Sequence, residues 1–331
     1  MLIVSNYHYI REDFTAKHPS IFGLTPRQFK RQLEELSKAG SFISQKELLN
    51  FKDKEFDKNY ILITFDDGLK EQYELAKPIL DAMGIPFIFF INTSNFEERK
   101  VSLVHKIHLL RSSLSSKEIL NELSKIFVTE LTTREKTLAK FHYNYDEEPT
   151  ALLKYLLNFK MNNQEQQEFI NPLFRKLYKE KNMASDLYFD DQMLYVLNEQ
   201  DALGSHSHHH LPLGKISPEQ LEKELTLTQQ FFKQKFEKPA ISLSYPYGSL
   251  EACTEISEQV NNHEFKLGFT MERAINRSLE HDSLMLSRFD CNDMPLGKNE
   301  LFNAQKLFEK PLNRTWYKNE KKFSLKPKSS V

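Results

Sequence analysis

The chain has 331 residues, of which 40% are hydrophobic and 12% aromatic, and its formal net charge is −1. This composition is typical of a globular protein with a sizeable core and excludes a disordered chain, while the balanced charge excludes a basic field that would attract nucleic acid. No stretch reaches the roughly 20 apolar residues of a membrane-spanning helix, and the two cysteines are too few for a disulfide framework.

The first part of the chain alternates strands with helices. The apolar and periodic patterns predict strands at 2–10, 60–65 and 85–91 and helices at 24–40 and 68–84. Continuous apolar strands of this kind suit a parallel sheet that is covered on both faces. The apolar run at 2–10 is too short for a signal peptide and has no basic region before it, so a cytoplasmic protein is expected.

From about residue 97 to 185 the sequence instead predicts successive amphipathic helices with no strand between them. We interpret this stretch as a helical insertion in an α/β domain. The alternation then resumes, with helices predicted at 190–199, 217–236 and 250–261 and strands at 239–248, 266–270 and 284–290. Either Asp190 or Asp191 is expected to cap the first of these helices. Alternation over most of the chain predicts an α/β sheet or barrel.

Two adjacent carboxylates, Asp66 and Asp67, directly follow the predicted strand at 60–65. Like charges side by side at a strand end repel each other, so something should compensate for them. A pair of surface turn residues is one explanation, and a metal site is another. A divalent cation would stabilise one carboxylate and leave the other free to act as a base.

Four of the 11 histidines lie within five residues, at 206 and 208–210. One helical turn would place the imidazoles of His206 and His210 on the same face, which is a spacing of metal ligands. A pair such as His206 and His209 is also compatible with the spacing. Two imidazoles and an aspartate from a strand end would form a facial ligand set with positions open for water and substrate. Such a set predicts metal-assisted hydrolysis.

Three motifs, TFDDG at 64–68, HSHHH at 206–210 and YPYG at 245–248, occur in this order at predicted strand ends. In this the chain resembles the polysaccharide deacetylase family, the NodB-homology domain of carbohydrate esterase family 4. The resemblance implies a distorted (β/α) barrel that removes N-acetyl groups from sugars with a divalent metal ion, for which zinc is expected. It divides the chain into a barrel at 1–96 and 186–290, the helical insertion at 97–185, and a C-terminal extension with a lysine-rich tail at 291–331.

The resemblance also implies roles for individual residues. Asp66 would be the general base. The metal ligands would be Asp67, His206 and His210. The backbone N–H of Tyr247 would help to stabilise the oxyanion of the tetrahedral intermediate.

Two features depart from the family pattern. Family members often carry an arginine three residues before the tyrosine of the third motif, where it orients the base, and this position is Ser244 here. Arg288, at a later strand end, is a candidate replacement partner for Asp66, with a surface arginine as the alternative. The usual C-terminal Leu-x-His, which carries the general acid, is missing, and His281 lies in a polar connection.

His8 directly follows the first predicted strand, in the sequence NYHYI. This resembles the branch of the family with a Tyr-His motif near the N-terminus, similar to biofilm poly-N-acetylglucosamine deacetylases, in which that motif supplies the general acid. The resemblance therefore implies that His8 protonates the departing amine, and a purely structural histidine is the alternative.

The predicted function is hydrolysis of the N-acetyl group of an N-acetylated sugar, expected to be a precursor in surface polysaccharide biosynthesis. Hydrolysis of another amide, such as a formyl group or a cyclic amide, is an alternative on the same site. A non-catalytic carbohydrate-binding relative is a further alternative. No nucleic-acid partner and no membrane span are expected, and the sequence leaves the oligomeric state open.

Overall fold

The computed structural model describes residues 1–15, 18, 23–51, 55–144, 146–279, 283–302, 306–310 and 312–317. The chain divides into two compact units, and the first comprises Met1–Glu12, Gly23–Lys100 and Ala184–Val331 over their described residues. The second comprises Asp13–Phe22 and Val101–Met183, also over their described residues. His281 and the lysine-rich tail beyond residue 317 lie outside the described residues.

A curled parallel sheet forms the centre of the first unit. The described residues contain eight strands: β1 (Leu2–Tyr7), β2 (Ser41–Phe42), β3 (Tyr60–Phe65), β4 (Phe87–Ile91), β5 (Leu203–Ser205), β6 (Ser242–Ser244), β7 (Leu267–Phe269) and β8 (Phe289–Asp290). Seven of them pair in the order β7-β6-β5-β4-β3-β1-β8, and β2 also pairs with β3. Leu286, just before β8, bridges to Phe269 of β7. With its surrounding helices this sheet is a distorted (β/α) barrel, which confirms the predicted fold class.

The helices among the described residues follow in chain order: α1 (Pro26–Ser37), α2 (Gln45–Leu49), α3 (Lys77–Ala82), α4 (Ser94–Glu97), α5 (Leu103–Ser113), α6 (Ser116–Leu123), α7 (Thr133–His142), α8 (Glu148–Tyr155), α9 (Asn163–Leu177), α10 (Glu180–Leu187), α11 (Asp191–Glu199), α12 (Pro218–Phe236), α13 (Leu250–Cys253) and α14 (Ser257–Asn262). Helices α5–α9 belong to the second unit, which contains no strand at its described positions. Where the chain is described, no helix combines the length and the apolar character that crossing a membrane requires.

Capping side chains set the starts of several helices. The Thr25 side chain accepts a hydrogen bond from the backbone N–H of Gln28, whose own side chain accepts from the backbone N–H of Thr25, so α1 begins with a capping box. Asp190 accepts from the backbone N–H of Met193 at 2.8 Å and caps α11. Asp190, rather than Asp191, is therefore the cap among the two that the sequence proposed.

The helix predicted at 68–84 is not continuous. Its central part, Gln72–Ala76, is a π-helical turn, and α3 follows it directly. Pro78 has no backbone N–H, and its ring would clash with the carbonyl four residues earlier in a regular α-helix, so a wider turn accommodates it. The helix predicted at 250–261 is also interrupted, by Glu255 at φ 68° between α13 and α14.

The central strands are apolar on both faces because each face covers a separate core. Ile61 and Ile63 of β3 pack into the core that also contains residues of α1 and α12, whereas Leu62 belongs to a second buried cluster with Val4 and Phe90. Burial on both sides explains the lack of polar alternation in these strands. The candidate site lies just beyond the ends of these strands.

Candidate active site

The motif residues follow the carboxyl ends of neighbouring parallel strands. Asp66 and Asp67 come directly after β3, His206 after β5, residues 245–248 after β6, and His8 just after β1. Because the carboxyl ends of parallel strands meet at one edge of a sheet, these residues share one rim of the barrel. All of them belong to the first unit.

Asp67, His206 and His210 converge on one point of this rim. The Nε2 atoms of His206 and His210 lie 3.8 Å and 3.7 Å from Oδ1 of Asp67. All three residues are buried, and each offers a donor atom within 4.8 Å of the others. The two separations from Asp67 are too long for hydrogen bonds but suit ligands around a divalent cation. These three residues could therefore hold a metal ion.

The orientation of His206 suits a ligand. Its Nδ1 lies 2.7 Å from the backbone oxygen of Ser244, and a carbonyl oxygen can only accept, so Nδ1 carries the proton. Nε2 then carries the lone pair, and it lies 3.8 Å from Oδ1 of Asp67. Hydrogen bonding of the second ring nitrogen to a carbonyl is a common way of fixing a histidine for metal binding.

Residues 206–210, here called the histidine loop, do not form a helical turn, although one helical turn was the geometry by which the spacing suggested that His206 and His210 share a face. Ser207 and His210 both have left-handed backbone conformations, at φ 64° and 59°. The backbone N–H of His210 donates to Oγ of Ser207 at 3.1 Å, and this hydrogen bond closes the loop. His206 and His210 therefore meet through a tight loop rather than through helical spacing. Asp67 and Tyr247, in the other two motifs, also have positive φ, at 81° and 64°.

Such conformations are uncommon for residues other than glycine and cost free energy unless the surroundings impose them. Their presence in all three motifs indicates that the backbone is held in place at this site. The alternative ligand pair of His206 and His209 is wrong, because Nε2 of His209 lies 3.1 Å from Oε1 of Glu98 instead.

Arg288 binds both carboxylate oxygens of Asp66. Its Nη1 and Nη2 donate to Oδ1 and Oδ2, each at 2.9 Å, and the arginine side chain is fully buried. The alternative of a surface arginine is therefore wrong. Nη2 also donates to Oγ of Ser244 at 2.8 Å. Residue 244 is the position at which family members often carry their arginine.

Asn6 is a site residue that sequence reasoning missed. Its side-chain nitrogen donates to Oδ2 of Asp66 at 2.9 Å, and its oxygen accepts from Nη1 of Arg288 at 2.9 Å. A weak signal was available, since Asn6 lies near the end of β1, next to β3. Gln72 was also missed, and its side chain donates to the backbone oxygens of His8 and Asp66 at 2.7 Å and 2.6 Å.

The charge state of Asp66 follows from these partners. Burial alone would raise the pKa of its carboxyl, but the charge and the hydrogen bonds of the Arg288 guanidinium act against burial, and the pKa lies well below its usual range. Asp66 is therefore ionised at neutral pH. His8 approaches the same carboxylate from the open side, with Nε2 3.9 Å from Oδ2 and 37% of its side chain exposed.

Tyr247 contacts one of the candidate metal ligands. Its ring packs edge to face against His210, with the ring centroids 5.0 Å apart, and 49% of the residue is exposed. The site thus combines three side chains that could hold a metal ion, an ionised carboxylate held by an arginine, and a partly exposed histidine at one rim.

The family model for polysaccharide deacetylases matches residues 53–125 and 175–271, which together are just over half of the chain. No curated protein sequence matches the chain. Among solved structures, the chain is similar to the Streptococcus pyogenes deacetylase PplD in complex with acetate, with a TM-score of 0.54 at 16% identity, over 87% of this chain and 91% of that one. It is also similar to IcaB from Ammonifex degensii, with a TM-score of 0.51 at 15% identity, over 87% and 90% of the two chains.

Proposed function

The chain belongs to the polysaccharide deacetylase family, and from this membership we propose that it is a metal-dependent hydrolase that removes the N-acetyl group from an N-acetylated sugar. The observation that carries the proposal is the convergence of Asp67, His206 and His210 beside an ionised Asp66. A carboxylate base next to a metal-ligand set is the equipment for hydrolysing an amide.

The donor set of the site fits a divalent metal ion. Two imidazole nitrogens and one carboxylate oxygen are ligands that zinc accepts, and three protein ligands leave a position for water or substrate. When bound by Asp67, His206 and His210, such an ion would supply Lewis-acid polarisation of the amide carbonyl and a lowered pKa of water.

Asp66 is the proposed acceptor of the proton that the attacking water loses. Its low pKa keeps the carboxylate ionised at neutral pH, where it can accept a proton. Arg288 and Asn6 occupy its oxygens from the buried side and thereby fix its orientation. In this proposal Arg288 takes the orienting role of the arginine that family members often carry at the position of Ser244.

His8 and Tyr247 complete the proposed machinery. His8 is partly exposed beside Asp66 and would give a proton to the departing amine. The backbone N–H of Tyr247 would donate to the developing oxyanion, and the positive φ of this residue sets the direction of that N–H. The products would be acetate and an amino sugar.

The proposed domain organisation keeps the barrel at 1–96 and 186–290 as the catalytic part, with 97–185 as a helical insertion and 291–331 as an extension. In its support, every proposed catalytic residue and metal ligand belongs to the first compact unit. The proposed substrate is a precursor in surface polysaccharide biosynthesis, such as a nucleotide-linked or lipid-linked N-acetylated sugar.

The test is acetate release by the purified, zinc-loaded protein from free, oligomeric, nucleotide-linked and lipid-linked N-acetylated sugars. Substituting Asp66→Asn should lower turnover by about 10²–10⁴-fold, the usual contribution of a general base, while zinc stays bound. Asp191→Asn, an exposed aspartate on α11, serves as the control and should keep full activity. Equal acetate release by the Asp66→Asn variant would contradict the role of Asp66. If the zinc-loaded protein released acetate from none of these sugars, hydrolysis of another acyl group or a non-catalytic binding role would be favoured.

A further inference from the structure

The histidine loop contains a second pair of imidazoles that the proposed catalytic site does not use. His208 and His209 group with Glu98 rather than with Asp67, and their rings meet edge to face with centroids 4.2 Å apart. The Nε2 atom of each lies 3.1 Å from the same atom, Oε1 of Glu98, which follows α4. Three possible ligand atoms from two separate segments therefore converge on one point.

The remaining ring nitrogens are held in place by buried partners. Nδ1 of His208 lies 2.7 Å from Oγ1 of Thr93, and Nδ1 of His209 lies 2.6 Å from Oε1 of Glu224. Glu224 is almost fully buried on α12, and its second oxygen also accepts the backbone N–H groups of His208 and His209. Hydrogen bonding of the outer nitrogen to a hydroxyl or carboxylate fixes the ring and leaves Nε2 available for a metal ion.

The spacing of the three atoms suits a small divalent cation. Zinc binds nitrogen and oxygen at about 2.0–2.2 Å, so neighbouring ligand atoms of a tetrahedral site are separated by roughly 3.3–3.6 Å. The separations of 3.1 Å between Oε1 of Glu98 and the two imidazole nitrogens are close to this value. Lys100 pairs with the other oxygen of Glu98, which leaves Oε1 directed at the histidines.

Partial exposure would let an ion enter. About a third of the Glu98 and His209 side chains is exposed, whereas only 2% of the His208 side chain is. The cluster is thus open on one side and closed on the other, as a site with three protein ligands and one water requires.

We propose that Glu98, His208 and His209 form a second divalent metal site, suited to zinc and separate from Asp67, His206 and His210. An ion there would link the end of α4 to the histidine loop and, through Glu224, to α12. Its function would be structural, because it would hold the loop that carries the first pair of imidazoles. The competing explanation is a doubly protonated His209 placed between Glu98 and Glu224, which needs no metal.

Zinc stoichiometry distinguishes the two explanations. The full-length protein is stripped with a chelator and dialysed against Zn²⁺, and zinc per chain is measured by mass spectrometry. We expect about two zinc ions for the unsubstituted protein, one for Glu98→Gln, one for Asp67→Asn, and none for the double variant. Glu97→Gln, the exposed neighbour on α4, is the matched control and should keep two. If Glu98→Gln does not fold, His209→Gln replaces it.

A stability measurement supplies a second readout. In the Asp67→Asn background, Zn²⁺ should still raise the unfolding temperature, and adding Glu98→Gln should remove that rise. The second site would be overturned if the unsubstituted protein bound one zinc ion per chain, Glu98→Gln still bound it and Asp67→Asn did not. That result would leave the proposed function intact. If instead the single zinc ion stayed bound in Asp67→Asn and was lost in Glu98→Gln, the second site would be supported and the proposed catalytic ligands would be contradicted.

Discussion

Asp66 and Arg288 form an ion pair from which water is largely excluded, with 4% and 0% of their side chains exposed. Removing two charges from water is costly, and such a pair is tolerated only where further hydrogen bonds satisfy the remaining atoms. Asn6 and Ser244 provide these bonds. Each charge therefore depends on the presence of the other.

Replacing Arg288 alone should be strongly destabilising. Arg288→Met leaves the Asp66 carboxylate buried without its cation, and we expect the free energy of unfolding to fall by about 3–5 kcal/mol. Lys233→Met is the control, because Lys233 pairs with Glu264 where both side chains are about half exposed, and its loss should cost less than about 1 kcal/mol. Urea denaturation at pH 7 measures both. Similar small losses in the two variants would show that the buried pair contributes no more than a surface pair.

The same contact should set the acid limb of the pH profile. With Arg288 present, the pKa of Asp66 is lowered despite burial, so the carboxylate stays ionised in mildly acidic solution. Arg288→Gln removes the largest lowering influence and leaves burial to raise the pKa. Protonated Asp66 cannot accept a proton, so the acid limb of kcat/KM should move to higher pH. Steady-state rates of acetate release across pH 4–8 test this shift, and an unmoved limb in Arg288→Gln would assign it to another group.

At this scale the sequence singled out residues with distinctive chemistry and spacing, the adjacent Asp66 and Asp67 and the dense histidines. The structure brings Asp67, His206 and His210 together at one rim of the barrel. Asn6 was not predicted, because an asparagine near a strand end is neither an acid, a base nor a common metal ligand that would draw attention to it. The burial of Arg288 could not be decided either, since the environment of an arginine depends on partners that are distant in sequence.

At the scale of elements, the turn after β3 places Asp67. The chain leaves the strand through Asp67 at φ 81° and Gly68 at φ 63°, and a Cβ atom on Gly68 would lie 2.8 Å from Cγ2 of Ile91. A side chain there would have both an unfavourable backbone conformation and a clash with β4. The glycine therefore allows β3 and β4 to pack closely beneath the site.

A pair of alanine substitutions separates these two effects. Gly84 has the same φ of 63°, but a Cβ atom on Gly84 would meet nothing within 4 Å, so Gly84→Ala should cost only the left-handed conformation, about 1–2 kcal/mol. Gly68→Ala should cost about 1–3 kcal/mol more because Ile91 must move. It should also weaken zinc binding, since the neighbouring residue is Asp67. Urea denaturation and zinc titration measure the two effects, and equal losses in both variants would rule out the clash.

Element boundaries were less predictable than the elements themselves. Buried apolar runs identified β3 and β4, because burial on both faces leaves a strong pattern. The π-helical turn at Gln72–Ala76 was not predicted, since one turn is too short for residue periodicity to distinguish it from an α-helix. The shape of the histidine loop could not be predicted for a related reason: positive φ is uncommon for residues other than glycine, and the modest preference of Asp, Asn and His for it does not identify individual positions.

At the scale of the whole molecule, the strand order brings distant residues together. Asp67 follows β3 and His206 follows β5, and only β4 separates these two strands in the sheet, although the two residues are far apart in sequence. The alternation of strands and helices predicted an α/β sheet or barrel, and the family resemblance that the three motifs carry implied the distorted barrel. The number of residues between the motifs did not indicate that they meet in space, because helices α5–α9 lie between the first motif and the second.

Metal removal should affect the two units differently. All proposed ligands, at both metal sites, belong to the first unit, and none belongs to Val101–Met183. A ligand that binds only the folded state stabilises that state by about 4 kcal/mol when the free ligand concentration is 1,000 times its Kd.

Chelation should therefore raise hydrogen–deuterium exchange at the histidine loop and at residues 66–68, while peptides from helices α5–α9 keep their exchange rates. The exchange of zinc-loaded and chelator-treated protein, followed by mass spectrometry, tests this pattern. A uniform increase across both units would mean instead that the metal stabilises the chain as one cooperative structure.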